Sequence, residues 1–163
     1  MPASPAPTDA RRWPAATIQR RVEWVDTDAA GHQHNSAILR WVEACEAELF
    51  RNLGIQDYVP SAPRVQQLVN FTARLFFAQV VTTNVRIEKV GRTSLTIAFE
   101  VFGEPFHGAE RVSAANGHVI TAHVSDTGRA TPWPQSFLDA IRPEKSSSSS
   151  TEIPSPSLPK EHH

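Results

Sequence analysis

The chain has 163 residues, 40% hydrophobic and 20% charged, which is enough for one domain with a packed core and too few for two ordinary ones. A formal net charge of -1 excludes a chain built as a whole to bind nucleic acid or an anionic membrane surface, and no apolar run is long enough to span a bilayer. Cys45 is the single cysteine, so no internal disulfide can form and a reducing, cytoplasmic setting is expected.

Residues 1–15, rich in Pro and Ala, read as a disordered lead with no apolar signal-peptide core. Residues 143–163, with their Ser repeat and Pro residues, read as a flexible tail, and the ordered domain is expected over 16–142. Ile18, Arg20, Val22 and Trp24 alternate with Gln19, Arg21 and Glu23, the period of a strand. A polar turn with Asp26, Asp28, His32 and His34 follows. From about Asn35 or Ser36 the period becomes helical: Ile38, Trp41, Val42, Cys45 and Leu49 share one face, and Arg40, Glu43, Glu46 and Glu48 take the polar positions. Asn35 or Ser36 is the expected cap and Gly54, after Leu53, the stop. Cys45 reads as a core residue rather than a reactive thiol.

The stretch 55–64, with Pro60 and Pro63, reads as a connector. Four strands should follow, carried by Val69, Phe71, Ala73 and Leu75, then Val81, Val85 and Ile87, then Leu95, Ile97, Phe99 and Val101, then a run ending near Val124. Gly117 suggests a bulge in the last of these. Phe71, Phe76, Phe77 and Trp24 are read as core residues, or else as walls of a ligand pocket. Pro134 to Ile141 reads as a short helix. Hairpin-length connections make the four strands antiparallel, and the sheet is the only partner available to the apolar stripe of the long helix. The expected class is α+β: five antiparallel strands wrapped around one central helix.

The turn is where chemistry concentrates. A carboxylate just ahead of a helix start sits near unpaired N–H groups that can hold an oxyanion, so Asp28 reads as a catalytic carboxylate able to attack a carbonyl or orient a water. The competing reading makes Asp26 and Asp28 turn and capping residues. His32 and His34 could suggest a metal site, but they lie in a turn without a further ligand set, and lining a cleft suits them better; no metal is expected.

The run Asp26-Thr27-Asp28-Ala29-Ala30-Gly31-His32-Gln33-His34-Asn35, followed by Arg40-Trp41-Val42-Glu43, resembles the signature of hotdog-fold acyl-CoA thioesterases of the 4-hydroxybenzoyl-CoA thioesterase type. Val90-Gly91-Arg92-Thr93-Ser94-Leu95 and Asp126-Thr127-Gly128-Arg129-Ala130-Thr131-Pro132-Trp133-Pro134 extend the likeness across about residues 17–141. The resemblance implies a hotdog fold that assembles into a homodimer or homotetramer with active sites at the subunit interface. It implies Asp28 as nucleophile or general base, the helix-start amide at Asn35 as the group that polarises the thioester carbonyl, and Gly31 as the residue that permits the tight turn. It implies an acyl-CoA or acyl-carrier-protein thioester as substrate and no cofactor. His32 and His34 would line the substrate site. Lys89 and Arg92 would meet CoA phosphates, as could Arg64 or Arg74, with plain surface charge the competing reading for each.

Two departures stand out. Many relatives carry Tyr where this chain has Ile38. A second branch of the fold uses a helix glutamate, which makes Glu43 and Glu46 the reserve candidates. A hotdog hydratase fits less well, because Gln33 stands where its catalytic His would fall. A hotdog module that binds acyl-CoA without turning it over is the non-enzymatic alternative.

Overall fold

The computed structural model describes residues 12–143, and the expectations for 1–11 and 144–163 fall outside the described residues. Elements run β1 (Ala15–Arg21), a 3-10 turn (Trp24–Asp26), α1 (Asn35–Asn52), α2 (Tyr58–Ser61), β2 (Arg64–Phe71), β3 (Val80–Val90), β4 (Ser94–Gly103), β5 (Val112–Ala122) and α3 (Gln135–Ala140). The strands form one five-stranded sheet in the order β1-β3-β4-β5-β2, with every pairing antiparallel. β1 and β2 are therefore its edges. Order begins ahead of residue 16: the Pro14 carbonyl accepts from the Ile87 amide at 3.0 Å and Trp13 packs against the core.

The apolar stripe of α1 is what the sheet wraps. Ala37, Ile38, Trp41, Val42, Cys45, Leu49 and Phe50 are all buried on it, against the inward residues Val81, Val85, Ile87, Leu95, Ile97, Phe99, Val101 and Val119 of the central strands. Each fully buried Leu, Ile or Val contributes about 1.5–3 kcal/mol relative to exposure. Cys45 is part of this layer, and burial pushes its thiol up to about 11, which makes it inert as a nucleophile at neutral pH.

Several expectations need correction. The first strand ends at Arg21, because the Val22 amide turns to the Gln79 carbonyl at 2.8 Å and the chain leaves the sheet; Trp24, read as inward-facing, is 79% exposed. The cap of α1 is neither Asn35 nor Ser36 but His34, whose side chain accepts from the Ser36 amide. The 55–64 connector contains α2, which buries Tyr58 in a stack on Phe50, and β2 starts at Arg64 and stops at Phe71, leaving Ala73 and Leu75 in the following loop. Gly117 makes no bulge: the irregularity of that pairing lies between Val101 and Phe102. Gly117 instead allows close backbone approach, since a Cβ there would lie 1.9 Å from the Leu68 carbonyl oxygen. Phe71, Phe76 and Phe77 are not core residues; all three are exposed. Glu46, read as a solvated helix position, is buried. No helix among the described residues is long and apolar enough to cross a membrane.

Candidate active site

The two aspartates of the turn separate cleanly by their partners. Asp26 is buried; its Oδ2 accepts the Glu23 amide at 2.9 Å and its Oδ1 accepts from Arg40 Nη2 at 2.8 Å. Its backbone carbonyl receives the His34 amide at 2.7 Å. Both carboxylate oxygens are thus committed to fixing the 3-10 turn and the first part of α1, a structural task. Asp28 is exposed and, among the described residues, its side chain holds one partner, the Ala30 amide, through Oδ1 at 2.8 Å. One oxygen orients the carboxylate, while Oδ2 has no hydrogen-bond partner among the described residues.

The turn around Asp28 is tight and closed. The Gly31 amide donates to the Asp28 carbonyl at 3.0 Å and the Asp28 amide to the His32 carbonyl at 3.1 Å, and Thr27 bridges Gln33. Gly31 sits at φ +79, a conformation that costs an L side chain but not glycine. In the sequence Gln33 stands out only as a position lacking a His, yet it anchors the site. It is buried, its Oε1 accepts the Leu75 amide at 2.6 Å, and its own amide donates to the Leu75 carbonyl at 2.9 Å. A buried amide side chain satisfied by backbone is the signal that sequence alone does not carry.

At the helix start, His34 takes up the Ser36 amide through Nδ1 at 3.1 Å and the Ala37 amide through its carbonyl at 2.9 Å. The Asn35 amide finds no acceptor among the described residues, which leaves a helix N-terminal donor free for a developing oxyanion. His32 is half-buried with Nδ1 directed at the Gln33 carbonyl at 3.3 Å. Both histidines are therefore occupied by the local backbone. Among the described residues no three His, Cys, Asp or Glu side chains cluster closely enough to hold a metal ion.

The reserve glutamates differ. Glu46 is ion-paired to Arg64 Nη2 at 2.7 Å, and Glu43 reaches the same nitrogen only at 3.7 Å. Burial pushes the Glu46 carboxyl above its ordinary value, with Arg64 working against that rise. Glu46 is thus a packed ion-pair partner. Lys89 and Arg92 are not brought to the turn within one chain. The turn follows β1, whose end at Arg21 pairs with Val80, the start of β3, whereas Lys89 and Arg92 lie at the far end of β3 and in the hairpin beyond it. Eleven residues of strand separate the two ends by roughly 30 Å. Arg74 lies on the turn's side of the molecule, in the loop after β2, and Arg64 lies at the opposite end.

A five-stranded antiparallel sheet wrapped on one long helix, with a carboxylate-bearing turn leading into that helix, defines a hotdog-fold protein. The chain belongs to the Thioesterase-like superfamily, whose family model matches residues 22–141. It is 26% identical over 130 residues to a putative esterase of Aquifex aeolicus, covering 76% of this chain and 95% of that relative. Among solved structures, a predicted thioesterase from Bacillus stearothermophilus aligns at 27% identity and a TM-score of 0.66, covering 78% of this chain and 93% of its own. The 4-hydroxybenzoyl CoA thioesterase of Pseudomonas sp. strain CBS-3 aligns at 20% identity and 0.70, covering 77% and 98%. A Thermus thermophilus thioesterase, solved with coenzyme A and Zn, aligns at 22% and 0.68, covering 79% and 92%. Fold and family together make this chain a thioester hydrolase.

Proposed function

We propose that the protein hydrolyses an acyl-CoA thioester to the free acid and CoA, with Asp28 as the reacting carboxylate and the Asn35 amide polarising the carbonyl. The observation that carries this is the contrast between the two aspartates: Asp26 has both oxygens bound, whereas Asp28 is exposed and, among the described residues, fixed through one oxygen. A carboxylate so held can attack the carbonyl carbon, expelling the thiolate and leaving a mixed anhydride that water opens. It can equally take a proton from a water that attacks in its place. On either route the carbonyl oxygen becomes an oxyanion, and a fixed helix-start N–H is worth most at that moment. Water supplies one oxygen to the acid and the proton that returns to the thiol. Coenzyme A bound to the Thermus thermophilus thioesterase supports a CoA ester over other thioesters.

Lys89 and Arg92 fit this chemistry as phosphate contacts only if a second copy supplies them. β2 is an edge strand that exposes Val65, Leu68 and Phe71, and an unpaired apolar edge is a ready pairing surface. Antiparallel pairing of two β2 edges about a two-fold axis sets the Arg92 end of one sheet beside the Asp28 end of the other. A homodimer, or a homotetramer built from two such dimers, is the assembly this reading requires. Thiol release from a panel of acetyl-, octanoyl- and benzoyl-CoA tests the activity. Release from at least one ester is expected, and release from none would sink the reading.

A further inference from the structure

Trp24, Phe76 and Phe77 face solvent although they sit beside the catalytic turn, and the backbone keeps them there. The segment 73–79 is tied at both ends by buried glutamines. Gln33 holds the Leu75 amide and carbonyl. Gln79 accepts the Phe76 amide at 3.1 Å and donates to the Glu104 carbonyl at 2.9 Å. Between them the Ala78 amide donates to the Val22 carbonyl at 2.9 Å, and Arg21 Nη1 donates to the Ala78 carbonyl at 2.8 Å. Neither phenylalanine can turn inward without breaking these bonds. Phe77 also meets Trp24 edge-to-face, with ring centroids 6.2 Å apart.

The two phenylalanine rings form one wall of a cavity of about 570 Å³ whose other apolar walls are Phe106, Ala109 and Val112 of the β4–β5 hairpin; Arg74, Gln79, His107 and Glu110 stand on its border, and it reaches Gly31 of the turn. That volume lies within the usual range for small-molecule sites, and a predominantly apolar lining with a few polar groups is their usual character. Gly31 is three residues from Asp28 and hydrogen-bonded to its carbonyl, so the cavity opens beside the proposed reacting carboxylate. A preformed apolar hollow held open by backbone hydrogen bonds costs a ligand little ordering on entry.

We infer that this cavity receives the acyl group of the substrate, and that the substrate class is a predominantly apolar acyl thioester larger than acetyl. The inference rests on the hydrolase reading above and adds to it the place and character of the acyl group. Two side chains set the selectivity. Ala109 is exposed on the hairpin and leaves the cavity its depth, while Phe77, 51% exposed, supplies a wall. A larger residue at the first or a smaller one at the second changes the response to acyl length and leaves the reacting groups untouched.

The test compares octanoyl-CoA with acetyl-CoA on the full chain, carrying Ala109→Trp or Phe77→Ala, by kcat/KM for thiol release. The same esters are titrated calorimetrically into Asp28→Asn with and without Ala109→Trp, so that binding is read apart from turnover. Wild type should prefer octanoyl-CoA by about tenfold or more, and each variant should lose most of that preference. The preference should also appear in binding to Asp28→Asn and vanish on adding Ala109→Trp. If octanoyl-CoA binds in this Ala109-dependent way without any hydrolysis, the cavity assignment stands and the hydrolase reading falls. Hydrolysis with an acyl preference that neither variant alters overturns the cavity assignment alone. Failure of both esters to bind overturns the cavity assignment together with the acyl-CoA reading, and a variant that changes only the oligomeric state in light scattering overturns the assignment by making the aromatic surface a protein interface.

Discussion

Gln33 and Leu75 are joined twice, by the Gln33 side-chain oxygen accepting the Leu75 amide at 2.6 Å and by the Gln33 amide donating to the Leu75 carbonyl at 2.9 Å. This pair fastens the turn that carries Asp28 to the chain leaving β2, forty-two positions further on. Replacing Gln33 with Leu strands the buried Leu75 amide, at a cost of about 1–3 kcal/mol. Because the turn is loosened as well, kcat should fall along with the melting temperature. Thermal unfolding and thiol-release kinetics on Gln33→Leu check both effects, and a variant with wild-type melting and rate would show that the staple is dispensable.

Ala78 adopts φ 69, a left-handed conformation that costs an L residue about 1–2 kcal/mol. Glycine removes that strain but gains freedom in the unfolded chain, which returns about 0.4–1 kcal/mol. Ala78→Gly should therefore be neutral to slightly stabilising in urea denaturation. A clear loss of stability would mean that the Ala78 methyl group packs usefully.

Arg64 and Glu46 form a half-buried ion pair at 2.7 Å. Arg64→Met leaves the Glu46 carboxylate uncompensated, and breaking such a pair costs about 3–5 kcal/mol at neutral pH. The pH dependence has a definite sign. Glu46 in the folded protein already titrates above its ordinary 4.5, so the folded state binds this proton more tightly than the unfolded chain, and stability declines as pH rises through the window above 4.5. Removing Arg64 raises the folded value further, so the penalty should grow from mildly acid to neutral pH. Glu46→Gln in the Arg64→Met background should flatten that growth. Melting curves of the single and double variants at several pH values decide it, and a penalty independent of pH would contradict this role for the pair.

The exposed β2 edge predicts self-association. Light scattering should return a dimer or tetramer, and Val65→Asp should shift it toward the monomer, since a charge on an apolar pairing surface is strongly disfavoured. A wild-type monomer at working concentration would separate Lys89 and Arg92 from the reaction.

Much of the fold was legible because periodicity reports burial directly. The stripe from Ile38 to Leu49, the stop at Gly54, the hairpin strands and the short last helix all appear where the pattern put them, with ends shifted by a few residues. What was not legible depends on contacts distant in sequence. The alternation through Val22 to Trp24 looks continuous, but the Gln79 carbonyl captures the Val22 amide and ends the strand. Glu46 reads as a solvated helix position until Arg64 is seen packed over it. The phenylalanines of the 73–79 segment look like core until the two glutamines are seen to pin them outward. At the site, the motif pointed to Asp28, Gly31 and Asn35, whereas the capping by His34 and the anchoring by Gln33 are properties of the folded turn.

If Asp28 reacts and Asp26 only supports, then Asp28→Asn and Asp26→Asn must fail in different ways. Thiol release from the best acyl-CoA and thermal melting are measured on both variants beside wild type. Asp28→Asn should melt like wild type and lose about a hundredfold or more in kcat. Asp26→Asn should melt lower, by the equivalent of about 1–3 kcal/mol, through its weakened contacts with Arg40 and Glu23. Wild-type turnover in Asp28→Asn would contradict this division of roles and move the chemistry to another residue, Glu43 first.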